Sequence, residues 1–316
     1  MHQWPDKVAI LYLSSPERAA IWRPIFSASL PDIPFWQGAD AVADPTAVRF
    51  VVCWVVPDDL FQRYPNIELL ISVGAGVDQF DFDRLPEQVQ VVRTMTPGIR
   101  AMVCEYVVLG VLALHRDLHH YLYQQRKRTW RARRVQLSRR RRVGVMGLGQ
   151  LGLATLNTLG QFGFQLSGWS QSRKEVAGVT TFAGVAELPM FLAQVDIMVC
   201  LLPLTPETRG ILNADLFAQL PMGTGLVHCG RGEHLDMGAL LDSLQSGRIS
   251  SAVLDVTNPE PLPEDHPLWT HPGVILTPHI ASETDFEEGA EYCVQAIQAH
   301  LLGSDIPGLV NKELRY

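Results

Sequence analysis

Apolar positions along this chain fall into two forms: short unbroken runs closed by turn residues, and longer stretches at helical spacing. KVAILYL (7–13), AVRFVVCWVV (47–56), IELLISVG (67–74) and VQVVRTM (89–95) are of the first form and predict buried strands. PERAAIWRPIF (16–26) predicts a helix that opens at proline. Together they make the first hundred residues a βα-type lobe. From about Ala101 the pattern is that of a long helix. Val103, Tyr106, Val107, Val111 and Leu114 form its stripe, and HRDLHHYLYQQRK (115–127) is predicted to continue it. RRVGVMGLGQLGLATLNTLGQFG (141–163) then reads as strand, glycine turn and helix. FQLSGWS, VDIMVCLLPL, GTGLVHCG, RISSAVLDV and GVILTPHI predict further strands, with LFAQL and MGALLDSLQ as helices between them and a last helix over 285–302. Continuous apolar strands alternating with helices predict a mostly parallel sheet covered on both faces.

At 316 residues the chain has material for two domains. MHQWPDK has none of the features of a secretory signal, and no stretch approaches 18 charge-free apolar residues, so a cytoplasmic protein without a membrane span is expected. Five dispersed cysteines fit reduced thiols. The net charge of −7 conceals an asymmetry: residues 126–142 carry ten Lys or Arg and no acid. That segment lacks zinc ligands and aromatic interleaving beyond Trp130, which favours a solvated arm or subunit contact over nucleic-acid binding. No metal-ligand spacing such as HExxH occurs, so no catalytic metal is expected.

GLGQLG (147–152) follows a buried strand and opens a helix, the context in which GxGxxG binds a dinucleotide. Gly147 permits the turn, Gly149 admits a pyrophosphate to the backbone amides, and Gly152 allows close helix packing. Leu148, Gln150 and Leu151 complete the loop. An acid normally ends the next strand and holds a ribose hydroxyl. Here that position is Ser170 in GWSQSRK, followed by Ser172, Arg173 and Lys174. Hydroxyls and two cations suit the extra phosphate of NADP.

Three strand ends carry acid–base chemistry: Arg231 in HCGRG, Glu260 in DVTNPEPLP and His279 in TPHIAS. A histidine beside a carboxylate can protonate the oxygen of a carbonyl that receives a hydride, and an arginine can hold an adjacent carboxylate. That combination points to a 2-oxo acid. SVGAGVD (72–78) ends a strand in the first lobe, where its amides could meet the same carboxylate; a turn requiring glycine for its own conformation is the other reading.

The ordered set VGAGVD, GLGQLG, LLPLTPETRG, HCGRGEHLD, LDVTNPEPLP and TPHIAS resembles the D-isomer-specific 2-hydroxyacid dehydrogenase family. GWSQSRK, PGIRAMVCEYV and EPLPEDHPLW are most similar to its glyoxylate/hydroxypyruvate reductase A branch. The resemblance implies an α/β fold of two Rossmann-like βαβ domains with parallel sheets, and a cleft between a flavodoxin-like substrate domain and a dinucleotide-binding domain. The substrate-binding domain is expected over 1–98, completed by the C-terminal helix 285–316. The NADP-binding domain, with inter-lobe helix and dimerisation arm, is expected over 99–284. Arg231, Glu260 and His279 are implied as catalytic. Trp54, Gly74, Ala75 and Gly76 are implied to line the substrate with Arg231. Leu202, Pro203, Cys229, Gly230, Asp255 and His279 are implied to join the glycine loop at the cofactor. NADPH is the implied cofactor, with NADH used less well, and a homodimer the implied assembly. Two departures stand out: His228 replaces the usual Asn three residues before the arginine, and Arg100 is more basic than its counterparts. The expected activity is reduction of glyoxylate to glycolate and of hydroxypyruvate to D-glycerate. A dehydrogenase for a larger 2-oxo acid, with Trp54 and Trp36 shaping the cleft, stays open. So does a noncatalytic NADP-sensing or corepressor-like protein.

Overall fold

The computed structural model describes residues 8–315, so MHQWPDK, Lys7 of the first expected strand, and Tyr316 lie outside the described residues. The chain forms two compact units. One holds the residues up to Ile99 together with those from Glu283 onward, and the other is Arg100–Ser282.

The first unit contains five parallel strands: β1 (Ala9–Leu13), β2 (Phe35–Gln37), β3 (Val48–Cys53), β4 (Leu69–Ser72) and β5 (Gln90–Arg93). Their order is β2-β1-β3-β4-β5, the flavodoxin-like arrangement. Strand residues alternate between two apolar layers, which is why these strands read as continuous apolar runs. Ile10, Tyr12, Phe50 and Ile71 pack with Trp22 and Phe26 of α1 (Pro16–Ser29) and with Cys293 and Ile297 of α9 (Phe286–Leu301). Leu11, Val51, Leu70 and Val91 face the other way, against Tyr64, Ile67 and Leu60 of the short α2 (Leu60–Arg63). The α1 boundary is legible: Ser15 accepts from the Arg18 amide at 3.3 Å, and Pro16 follows it.

The second unit opens with α3 (Pro97–His115), whose first three residues belong to the first unit, then α4 (Leu118–Arg126). The expected single helix is therefore two. Asp117 takes a left-handed φ of 55° at the break, a conformation Asp tolerates better than most residues. By length and composition α3 could cross a membrane. Its Val107 and Val111 are nonetheless fully buried, and a Cβ on Gly110 would sit 3.0 Å from Val227 Cγ1 of the sheet.

Seven parallel strands follow: β6 (Arg142–Met146), β7 (Gln165–Ser170), β8 (Thr180–Ala183), β9 (Ile197–Cys200), β10 (Thr224–His228), β11 (Ile249–Leu254) and β12 (Val274–Leu276). Their order is β12-β11-β10-β9-β6-β7-β8. The helices are α5 (Gln150–Gly160), α6 (Gly184–Leu192), α7 (Ala214–Ala218) and α8 (Met237–Ser246). β8 and α6 were not legible in sequence. β8 is four residues with two threonines, and Pro189 lies inside α6, where proline argues against helix.

Candidate active site

β6 lies between β9 and β7, so the chain reverses its order across the sheet there. Open α/β sheets bind ligands beyond the strand ends at such a point. The glycine loop leaves β6 at this position, and each of its three glycines has a distinct spatial reason. Gly147 has φ 103°, and a Cβ there would meet the Leu201 carbonyl oxygen at 2.6 Å. A Cβ on Gly152 would lie 1.8 Å from the Gly147 carbonyl oxygen, so α5 approaches the strand only because that side chain is absent. Around Gly149 there is open space. The amides of Gly149, Gln150, Leu151 and Gly152 donate to no backbone acceptor among the described residues. Free amides at a helix N-terminus, with room above the middle glycine, fit a pyrophosphate.

The GWSQSRK segment joins this loop. Ser170 ends β7, buried, and its hydroxyl donates to the Ser172 carbonyl at 2.8 Å. Ser172 is exposed. Lys174 Nζ reaches back to donate to the Leu148 carbonyl at 2.7 Å, which puts its charge at the glycine turn. Arg173 is held differently. Its guanidinium pairs with Glu187 of α6 and donates to the Thr181 carbonyl at 3.1 Å. That ion pair and the Ala183 amide hold the Glu187 carboxyl below its ordinary range, the amide bond acting first. Sequence spacing had no signal for Glu187, because the helix that carries it was not expected.

Arg231, Glu260 and His279 leave the ends of β10, β11 and β12, three neighbours in the sheet. His279 Nδ1 and Glu260 Oε2 are 2.9 Å apart, and both side chains are partly exposed. The Thr257 amide donates to the other Glu260 oxygen at 3.1 Å, which orients the carboxylate. A Cβ on Gly232 would lie 1.9 Å from the Thr257 carbonyl oxygen, so the loop after Arg231 runs against the loop that carries Glu260. Arg231 is half-buried and donates from Nη1 to the Gly230 carbonyl at 3.0 Å.

Asp255 is 2 % exposed, and three protein donors meet its carboxylate. The Thr277 hydroxyl and the Ile280 amide reach Oδ1 at 2.7 and 2.8 Å, and the Ala281 amide reaches Oδ2 at 2.8 Å. The Asp255 carbonyl also accepts the His279 amide at 2.8 Å. This implied cofactor residue therefore grips the His279 loop, with acceptor capacity to spare on Oδ2. Tyr106 of α3 hydrogen-bonds Thr277, and burial raises its hydroxyl pKa.

Leu202 follows β9, buried, with Pro203 next to it. The Pro203 carbonyl lies 3.2 Å from His234 Nε2. Cys229 and Gly230 lead from β10 to Arg231, and burial pushes the Cys229 thiol pKa well up. Cys200, His228 and His234, all buried, place ligand-type atoms within 4.8 Å of one another. Sequence spacing does not announce this group. The Cys200 thiol is pushed up to about 12 by burial, and His234 commits both nitrogens to the backbone. Hydrogen bonding, not metal ligation, is what their protonation states suit.

In the first unit, SVGAGVD follows β4. The Ser72 hydroxyl donates to the Gly76 carbonyl at 2.7 Å, and Thr94 donates its amide to the Gly74 carbonyl at 3.0 Å. Neither Gly74 nor Gly76 is among the positive-φ residues, so left-handed conformation is not their reason. Gly74 lies close under Trp54: a Cβ there would sit 3.2 Å from the Trp54 ring, a tight contact. The amides of Ala75 and Gly76 have no backbone acceptor among the described residues. Trp54 is 43 % exposed, whereas Trp36 packs against the unit's core. Arg100 is exposed.

Residues 108–281 match the family described as D-isomer specific 2-hydroxyacid dehydrogenase, NAD binding domain. The chain is 36% identical to the glyoxylate/hydroxypyruvate reductase A of Yersinia enterocolitica, over 85% of this chain and 88% of that one. Among solved structures it is similar to a D-isomer specific 2-hydroxyacid dehydrogenase from Xanthobacter autotrophicus Py2 in complex with NADPH and MES. That match has 36% identity and a TM-score of 0.92, over 98% of this chain and 100% of the other. It is also similar to an NADPH-dependent glyoxylate/hydroxypyruvate reductase from Sinorhizobium meliloti in complex with NADP and sulfate. The identity there is 30% and the TM-score 0.89, over 98% and 100% of the two chains.

Proposed function

The chain belongs to the D-isomer-specific 2-hydroxyacid dehydrogenase family, and from that premise we propose that it uses NADPH to reduce glyoxylate to glycolate and hydroxypyruvate to D-glycerate. The observation that carries the proposal is the His279–Glu260 pair at 2.9 Å, leaving the sheet beside the Arg231 strand. The family relatives crystallised with NADPH or NADP support the cofactor.

Bound NADPH supplies the hydride to the carbonyl carbon. His279 uses Nδ1 for Glu260, which leaves Nε2 to give a proton to the oxygen as negative charge grows there. Glu260 takes the Nδ1 side of the imidazole and so fixes the ring's orientation. Arg231 holds the substrate carboxylate with a forked pair of donors and polarises the neighbouring carbonyl. The free amides of the glycine loop would hold the pyrophosphate. Ser170, Ser172, Arg173 and Lys174 would take the 2'-phosphate; the Arg173 side chain is 55 % exposed beside its Glu187 pair. In this reading Arg100–Ser282 is the NADP-binding domain. The other unit, with Trp54 and the amides of Ala75 and Gly76, is the substrate-binding domain.

NADPH oxidation against a panel of 2-oxo acids, repeated with NADH, tests the proposal. Glyoxylate and hydroxypyruvate are expected to turn over, faster with NADPH. His279→Gln is expected to lower the rate by roughly 10²–10⁴-fold, the usual share of general acid–base catalysis. Undiminished turnover in that variant, or no oxidation with any 2-oxo acid, would remove the assignment.

A further inference from the structure

Arg231 is flanked by glycines, a sequence that by itself leaves a loop loose. Its backbone is nonetheless gripped at both polar atoms, and by two imidazoles. The Arg231 amide donates to His234 Nδ1 at 3.0 Å, and the Arg231 carbonyl lies 2.8 Å from His228 Nε2. These partners fix the proton positions. A carbonyl only accepts, so His228 carries its proton on Nε2; an amide only donates, so His234 Nδ1 is bare. His234 Nε2 then donates to the Pro203 carbonyl at 3.2 Å. His234 is therefore neutral, and His228, whose Nδ1 is buried without a hydrogen-bond partner, is kept neutral by burial with its proton on the same nitrogen.

The flanking glycines have a matching role. A Cβ on Gly230 would lie 2.8 Å from His234 Nδ1 and 3.3 Å from His228 Cε1, so the missing side chain makes room for His234 at the backbone and leaves His228 a tight fit beside it. The rings stand edge to face, centroids 5.7 Å apart, and both residues are fully buried. His234 also ties the Arg231 loop to Pro203 after the neighbouring strand β9. A bidentate contact to a planar carboxylate is sensitive to where the guanidinium starts, and the guanidinium starts from this backbone.

We propose that His228 and His234 are positioning residues for Arg231, a buried two-imidazole clamp that sets substrate affinity without touching substrate. The inference rests on the reading of Arg231 as the carboxylate-binding residue. It also gives a role to His228: its ring is long enough to reach the Arg231 carbonyl from the strand end.

The test compares truncation with atom-for-atom replacement in the full chain. In His228→Leu and His234→Leu the clamp bonds are lost. In His228→Gln an amide nitrogen replaces Nε2, and in His234→Asn an amide oxygen replaces Nδ1. Steady-state kinetics with glyoxylate give KM and kcat separately, NADPH binding is measured by fluorescence, and folding by circular dichroism. The leucine variants are expected to raise KM for glyoxylate about 10–100-fold, the scale of a misplaced binding group, with a smaller change in kcat and unaltered NADPH affinity. The Gln and Asn variants are expected to restore KM to within about threefold, on the same positioning argument. Folded leucine variants with unchanged KM would overturn the clamp. So would Gln and Asn variants as impaired as the leucine ones, because bulk and not hydrogen bonding would then matter. Should a leucine variant fail to fold, His234→Gln against His234→Asn decides: only Asn sets its oxygen at the Nδ1 position, and equal KM values in the two would overturn the proposal. Arg231→Ala is the separate control. Unchanged glyoxylate KM and kcat there would remove the function assigned to Arg231 itself, whatever the imidazoles do.

Discussion

His279 has φ 55°, in the left-handed region that a side-chain-bearing residue adopts only when its surroundings require it. Asp255 supplies that requirement through its carbonyl to the His279 amide and its carboxylate to the next two amides. A different residue-scale property belongs to His228. Burial first, then the neighbouring His234, lowers its pKa to about 3. The unfolded chain takes up this proton near pH 6.5, so between pH 6.5 and 3 it binds more protons than the folded one. The sign follows: the contribution is intact above about pH 6.5 and is lost as pH falls toward 3, by about 1.4 kcal/mol per pH unit. His228→Gln is expected to flatten the loss of stability between pH 6.5 and 4 by that slope in urea unfolding curves. An unchanged slope would mean that His228 is not buried as a neutral ring. His234, also lowered mainly by burial, adds in the same direction in both proteins.

At the scale of elements, the proposed cofactor preference rests on a strand end and a helix that meet beside the glycine turn. Lys174 already sits on the turn through the Leu148 carbonyl, and Arg173 is braced by Glu187 from α6. Arg173→Ala combined with Lys174→Ala is expected to weaken NADPH while sparing NADH. The ratio of kcat/KM for the two cofactors should fall about tenfold or more, since each charge-assisted bond to phosphate contributes about 1.5–3 kcal/mol. An unchanged ratio would refute the phosphate seat and leave the dehydrogenase reading standing. The glycine turn, β6 and the strand ends bearing the chemistry were legible because apolar residues there are followed by a sharp polar or glycine signal, and β7 because of its distance from that turn. α6 and its Glu187 were not, because Pro189 masks a helix stabilised by packing: Phe191 and Leu192 are fully buried. The α3–α4 break was also hidden, since apolar spacing continues through Arg116 and Asp117 without a glycine or proline.

For the whole molecule the segregation of charge is the clearest feature. Ten basic residues crowd into 126–142, whereas the rest of the chain is predominantly acidic. Within that segment residues 129–137 have no regular structure, and Trp130 is completely exposed. Backbone anchors hold its start: the Arg131 amide donates to Gln124 Oε1 at 3.0 Å and the Arg133 amide to the Tyr121 hydroxyl at 2.9 Å. An ordered basic arm with a bare tryptophan suits an acidic surface on a second copy, and the proposed assembly is a homodimer. Sedimentation should give twice the chain mass at low salt. Trp130→Ala should shift the equilibrium toward monomer, more so at high salt, where the screening length falls from about 10 Å at 0.1 M to about 3 Å at 1 M. A monomer under all conditions would exclude this assembly.

The sequence by itself determined most of the alternation of strands and helices, the parallel sheet of the second unit, the glycine turn, and the identity of the arginine, glutamate and histidine at three strand ends. Those features are local in the chain: a run of apolar residues, a forced turn, a residue just past a strand. Only the tertiary structure decided which groups meet. Strand order set β10, β11 and β12 side by side and so brought His279 to Glu260 across 19 residues. It buried Asp255 beneath the His279 loop, turned Arg173 to Glu187, and closed His228 and His234 on the Arg231 backbone. Hydrogen bonding between side chain and backbone depends on distances of about 3 Å between segments that apolar periodicity does not relate. GWSQSRK could therefore be read as a phosphate seat, but the brace behind its arginine could not.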